Sequence, residues 1–424
     1  MSDFDLAVGI DGATMTQAGA VVYRQLYPKL FTGSQSIEKE GLLFQVSWDV
    51  QAPPTFVLSA PANGEALLRA HLLHLPPLPG VSRRQVVEGL LGALAENVFQ
   101  LELPNVLMTL KADGYEGTAR VQVSVVAQAQ VEQGKMSLRA IKAIGKTDNP
   151  SDEWFVNHVI LPQAMHIGGT LLDGITLPPL SFANVSLTPP TLIVRQNHII
   201  ALANLSGRPV PQPPFADAWP TDPFFAVLSS EAKLQIARMA TASLAGKELH
   251  KGDSISIGIG DVHYNATARL GALSIGDAGG TAIGFNDAVQ GNVNAGIKIG
   301  CTNIGLNYNL LAKPDPNGRI GLSVSGTTVR ATTAELATFV LVLIPYGDPL
   351  EWVLSAVTYP LTQAVVAAFS PLITQLFQGI SFDVYELPSI PINVDAVHLT
   401  VQPSQVRFGD WGGRLAIMGQ AVFG

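Results

Sequence analysis

Cysteine occurs once in this chain, at Cys301, which excludes an intramolecular disulfide and any thiolate-based metal cage. Charge is scarce as well. Only 14% of residues are charged, the net charge is -8, and no dense Lys/Arg run exists, so nucleic acid is excluded as a partner on electrostatic grounds. Long apolar runs are also missing. The longest, around Leu336 to Ile344, is about half of the roughly 20 residues that a membrane-spanning helix requires. The opening Met1-Ser2-Asp3-Phe4-Asp5 carries acids where a secretory signal needs a basic and then an apolar region. The expectation is a cytoplasmic protein, or one exported without a visible signal peptide.

Catalytic and cofactor motifs are equally sparse. His71-Leu72-Leu73-His74 offers paired imidazoles but no third metal ligand of fitting spacing, and on a strand the two would face opposite sides. His158 and His166 have no Asp or Ser pattern beside them. Gly258-Ile259-Gly260 lacks the third glycine and following helix of a dinucleotide loop, and Gly321 to Gly326 misses the nucleophile-elbow spacing by one residue. A non-enzymatic protein without metal or cofactor is therefore expected.

What is present is apolar bulk and a repeat. Apolar residues make up 47% of a 424-residue chain, so much greasy surface must be hidden in a core or offered to an apolar ligand. Glu153-Trp154 and Glu351-Trp352 are each followed by a Val six residues after the Glu and a Pro nine after it. Each apolar stretch then reaches a Leu-Pro step, at Leu177-Pro178 and Leu387-Pro388. This suggests an internal duplication. The Glu suits the first turn of a helix, where the dipole favours an acid, and the Trp would fasten the start of the helix to a sheet.

The elements fall in the same order in both halves. Phe4 to Ile10 reads as a strand and Ala13 to Leu30 as a helix, with Met15, Ala18, Val22, Leu26 and Leu30 on one face. Alternating segments from Gly41 to Leu75 and from Phe99 to Ile144 read as antiparallel strands, with a short helix expected over Ser82 to Val98. An apolar helix carries the first Glu-Trp motif and should end near Gly168-Gly169, and strands follow to Asn204. The Gly207 to Pro214 segment, dense in proline, is the expected boundary. The second half repeats the pattern. Phe224 to Leu228 is a strand with Ala-Val placed as in Ala7-Val8, and a helix over Ser230 to Leu244 carries Ala232, Ile236, Met239, Ala240 and Ser243 on one face. Strands continue to Val342, with a hairpin turn at Pro314 to Gly318. A long apolar helix from Pro349 to Phe377, interrupted by Pro360 and Pro371, precedes closing strands at Val394 to Val401 and Arg414 to Val422. Both apolar helices are greasy around their circumference and should be wrapped by other structure.

This twofold order resembles the tubular lipid-binding (TULIP) superfamily, the group of the bactericidal/permeability-increasing protein and its relatives, including bacterial members encoded in clostridial neurotoxin gene clusters. The resemblance implies an α+β fold of two units, 1–206 and 222–424, joined by a Pro-rich linker at 207–221. Each unit would be a highly curved antiparallel sheet around a long apolar helix, in an elongated pseudo-twofold arrangement. It further implies an apolar tunnel for lipid or fatty-acid-like ligands, with transient membrane contact. The residues expected to line it are Val22, Leu26, Val156, Val159, Ile160, Ile236, Met239, Val353, Val357 and Leu361. The alternative is a protein-binding scaffold in a toxin or secretion-linked complex, which would leave the interior filled by side chains.

Overall fold

The computed structural model describes residues 4–39, 41–59, 61, 97–132, 135–146, 153–175, 185–212, 215, 218–256, 261–279, 281–299, 301–346 and 359–423. The expected helix over Ser82 to Val98, His71 and His74, Gly258 to Gly260 and the second Glu-Trp motif with Val353 and Val357 lie outside this set, apart from the last two residues of that helix. The described chain is mostly β with few helices. It divides into two compact units, Met1–Leu228 with Leu387–Arg407 and Ala416–Gly424, and Ser229–Glu386 with Phe408–Leu415.

Unit 1 is organised on a seven-stranded sheet ordered β21 (Ile390–Val394), β22 (Val397–Trp411), β23 (Arg414–Phe423), β10 (Phe224–Leu228), β1 (Leu6–Asp11), β9 (His198–Ala203), β8 (Thr191–Arg195). β9 and β10 are buried at every position, as their unbroken apolar composition requires. The two opening strands pair antiparallel with Ala7 opposite Val227 and Val8 opposite Ala226. Outward from this pair the order is β9 then β8 on one side and β23 then β22 on the other. β8 and β9 are joined through Gln196 and Asn197, both at positive φ (48° and 60°), the geometry of a two-residue hairpin turn. The Pro-rich segment is fastened to this unit. Asn204 Nδ2 donates to the Pro209 carbonyl (2.7 Å), Thr191 Oγ1 donates to that of Pro211 (3.0 Å), and Arg208 pairs with the fully buried Asp5.

The second sheet of unit 1 runs β2 (Thr32–Lys39), β3 (Leu42–Val50), β5 (Val98–Ala112), β6 (Tyr115–Glu132), β7 (Lys135–Lys146), with β4 (Thr55–Val57) also on β5. Register shifts at Leu103/Val106 and Val126/Ala127 bend these long strands. Two helices fill the concavity. The first, Gly12–Leu26, begins where the Asp11 carboxylate accepts from the Thr14 amide (2.8 Å) and buries Met15, Ala18, Val22 and Leu26. The second, Leu161–Asp173, is preceded by a helical turn at Glu153–Phe155 and a π-helical segment at Val156–Ile160. It runs through Gly168-Gly169 and ends at Asp173, not at the glycines as expected. A Cβ at Gly168 would stand 2.9 Å from Val125, so this glycine is the means of close approach to β6. Gly145 plays the same part on β7, where Val156 occupies the space a side chain would need.

Unit 2 holds two five-stranded sheets. One is ordered β11 (Glu248–Ser256), β12 (Asp261–Leu270), β15 (Val289–Ile299), β16 (Thr302–Lys313), β19 (Val340–Pro345); the other β13 (Ser274–Asp277), β14 (Ile283–Asn286), β17 (Asn317–Ser325), β18 (Thr328–Leu336), β20 (Ser381–Glu386). The two are leaves of one folded surface. Each of four passes of the chain contributes a strand to both leaves: β12–β13, β14–β15, β16–β17 and β18–β19. The breaks align into a corner, stitched by Gly271 N to Ala288 O (2.9 Å), Asp287 N to Pro316 O (3.0 Å) and Ala337 N to Asn317 O (2.8 Å). The expected hairpin at Pro314 to Gly318 is one of these corners. β16 and β17 do not pair, because Pro314 and Pro316 lack the amide donors that would continue a ladder and the chain crosses to the other leaf.

The helix Tyr359–Gln378 packs on strands of both leaves and buries Val365, Phe369, Ile373 and Phe377 at four-residue spacing. The helix Ser230–Thr241, capped by Ser229 Oγ to the Ala232 amide (3.1 Å), packs on β13, β14 and β20. Neither apolar helix is wrapped all round as expected. Pro162 and His166 on one, and Gln363, Ala367 and Pro371 on the other, face solvent. Alanine counts as apolar in composition but buries little area, and the rest of these residues are proline or polar, so water at these faces costs little.

Candidate functional site

The inner face of the β2–β7 sheet shows a burial gradient. Val50 and Val46 on β3, Val106 and Met108 on β5, and Val121 and Val123 on β6 are at most 3% exposed. One step further along each strand the same face opens: Phe44, Leu110 and Ala119 are half-buried, joined by Ile37 on β2. The β2–β3 and β5–β6 hairpins end side by side here, since Gln45 pairs with Lys111. At their tips Leu42, Leu43 and Tyr115 are 59%, 67% and 61% exposed. The core of unit 1 therefore runs out into an apolar mouth rimmed by large side chains that water covers.

The first Glu-Trp motif closes one side of this mouth. Phe155 meets Phe44 edge-on with ring centroids 5.9 Å apart. Trp154 stands edge-on to Phe155 (4.9 Å) and stacks on His158 (4.5 Å, 14° between planes), whose Nδ1 lies 2.8 Å from the Trp154 carbonyl. The motif thus forms a local aromatic cluster at the helix start, and Glu153 is exposed in the first turn. The π segment that follows widens the helix, a feature frequent at functional sites.

Of the residues expected to line a tunnel, Val22, Leu26, Val156, Val159 and Ile160 join a single core cluster in unit 1 and are at most 5% exposed. Ile236 is 2% exposed in unit 2, while Met239 is 44% exposed on the outer side of its helix. Leu361 lies on the helix Tyr359–Gln378. Sequence reasoning missed the mouth residues Leu42, Leu43 and Tyr115. The signal was there in Leu42-Leu43-Phe44: three consecutive apolar residues on a strand must put one of them outward.

Unit 2 contains two buried ionisable groups of opposite kind, one paired and one not. Lys233 is 1% exposed and its Nζ donates to Asp277 Oδ1 (2.7 Å) and the Ala282 carbonyl (3.2 Å). Burial alone would raise the Asp277 carboxyl; Lys233, Ser230 and the Gly279 amide together outweigh it and hold the group below its usual value. Asp287 is 2% exposed at the corner, and neither carboxylate oxygen has a hydrogen-bond partner among the described residues. Its burial pushes the carboxyl up to about 6, held back in part by the facing amides of Ala288 and Gly271 and helped by the charge of Asp315.

Among the described residues no group of three or more His, Cys, Asp and Glu is placed to hold a metal ion. No helix among them is long and apolar enough to cross a membrane. Gly145-Lys146-Thr147 matches the last three residues of a phosphate loop, but Ala140 stands where its first glycine belongs and Gly145 lies within β7.

No protein-family model and no curated protein matches the chain. Among solved structures it is similar to lipopolysaccharide binding protein, at 10% identity and a TM-score of 0.34 over 99% of both chains. It is also similar to P47 from Clostridium botulinum A2, at 8% identity and 0.47 over 98% of this chain and 97% of that one. For P47 of Clostridium botulinum E1 the figures are 8%, 0.43, and 99% of both. The lipopolysaccharide binding protein and the clostridial proteins both fall within the groups that the sequence resembles.

Proposed function

We propose that the chain binds lipids or comparable apolar ligands through the mouth of unit 1, without catalysis. The observation that carries this reading is the burial gradient. A continuous apolar face passes from core to solvent at one end of the β2–β7 sheet, and large contiguous apolar patches left to water mark interaction sites. Each CH₂ that leaves water contributes about 0.8 kcal/mol, so an acyl chain of a dozen carbons inserted along Phe44, Leu110 and Phe155 needs no charged anchor. Leu42, Leu43 and Tyr115 are suited to rest on a bilayer surface while a ligand enters, and Tyr supplies the amphipathic ring favoured at such interfaces.

The same reading takes the chain as two versions of one unit, the halves 1–206 and 222–424 bridged by 207–221. The mirrored strand order about β1 and β10, with their Ala-Val steps crossing, supports it. So does the recurrence of a capped helix directly after each opening strand.

The test uses purified full-length protein. Native mass spectrometry reads co-purified lipid, and titration with a brominated fatty acid reads quenching of Trp48 and Trp154, one on the inner face and one at the mouth. Saturable quenching that Phe44→Asp and Leu110→Asp abolish is expected. Absence of both co-purified lipid and saturable quenching refutes the proposal and favours the scaffold alternative.

A further inference from the structure

The outer face of the β11–β19 leaf carries an unusual pattern of side chains. Strand register sets them in rows across the sheet: Asp261, Lys298 and Asn303; then His263, Gly296 and Gly305; then Asn265, Asn294 and Asn307; then Thr267, Asn292 and Asn309. On these strands the alternate residues, such as Tyr264, Val293 and Leu306, are buried, so the rows look outward. Of the side chains in the last two rows, all but Thr267 are carboxamides.

The second row is nearly empty. A Cβ at Gly296 or at Gly305 would meet nothing within 4 Å. The missing side chains leave a trough with a cavity volume of about 650 Å³, floored by backbone and bounded by Asp261, His263, Lys298 and Asn303. Those four side chains make no hydrogen bond or ion pair with any described residue. Strand spacing of about 4.8 Å makes the trough about 10 Å across, and the two flanking rows stand about 13 Å apart along the strands.

Charge and hydrogen-bonding capacity say what fits. Asp261 and Lys298 line the trough with opposite signs, so it is close to neutral and does not favour an anion such as a phosphate. A carboxamide both donates and accepts, and so does a hydroxyl; a surface of Asn, Thr and His is therefore matched to a ligand dense in hydroxyls. We propose that this face binds a neutral saccharide, one pyranose ring lying in the Gly296–Gly305 trough and the chain continuing over the asparagine rows. The inference is independent of lipid binding by unit 1.

Affinity electrophoresis of the full chain through native gels containing mannan, xyloglucan, amylopectin or a β-1,3-glucan tests this. Retardation by at least one polysaccharide is expected. Gly296→Val and Gly305→Val fill the trough with a residue strands favour and meet no neighbour, so both should fold, as thermal melts will verify, yet lose at least tenfold in affinity. Asn294→Ala and Asn307→Ala should weaken binding severalfold. Retardation by none of the four, or retardation unchanged in both valine variants, overturns the proposal. So does binding confined to vesicles of anionic phospholipid and lost in Lys298→Ala.

Discussion

Replacing Asp287 by asparagine should stabilise unit 2 at neutral pH, although it removes a charge from an acidic protein and adds no contact. The carboxyl sits at about 6 in the folded chain against 3.8 in its ordinary surroundings, because burial disfavours its charged form. At about 1.4 kcal/mol per tenfold change in proton affinity, that gap corresponds to about 2 to 3 kcal/mol. The direction follows from a raised value. Above about pH 6 the group is ionised in both states and the folded state bears the cost. Between about 6 and 4 the folded state takes up the proton first and gains stability as pH falls. Below about 4 both states are protonated and the contribution is complete. Asparagine copies the shape and stays neutral throughout, so the difference between variant and wild type isolates this one group from every other carboxylate. Hydrogen-exchange mass spectrometry of peptides spanning Ile283 to Val293 is the assay, because it reads local opening at the corner itself. At pH 7.5 the variant should exchange at least tenfold more slowly across the corner, and near pH 4 the two should converge. A variant that exchanges faster at pH 7.5, or an offset that does not change with pH, refutes the account of Asp287 as a buried, unpartnered carboxylate.

Asp277→Ala should destabilise unit 2 by about 3 to 5 kcal/mol by leaving Lys233 charged and buried, while Lys233→Met combined with Asp277→Leu should lie near wild type in urea melts. Because Asp277 is held below its usual value, its stabilising share is present above about pH 4 and lost as pH falls through its folded value; Asp277→Asn should flatten that acid limb. Phe369→Ala removes a fully buried ring from the Tyr359–Gln378 helix and should cost about 3 to 5 kcal/mol in the same melts. Gly168→Val drives side-chain atoms into Val125 and should lower the melting temperature of unit 1, where Gly169→Ala, open on its outer side, should leave it within a degree or two. Leu42→Ser with Leu43→Ser should leave stability unchanged, both being exposed, and reduce partition onto phosphatidylcholine vesicles in a sedimentation assay.

What the chain declares by itself is local. The buried faces of its helices and the alternation of its strands follow from spacings of two, three and four residues, which need no knowledge of distant partners. The Glu-Trp motif at Glu153 marked a helix start for the same reason. Reading failed where small residues and prolines had to be judged by position. Gly168 looked like a terminator and is a point of close packing; Pro314 to Gly318 looked like a hairpin and is a corner, because only the neighbouring passes decide whether an amide-free turn closes a ladder or leaves it. The mouth of unit 1, the unpartnered Asp287 and the glycine trough are properties of register between strands tens of residues apart. Register is set by the summed burial of whole faces, and no window of sequence contains that sum.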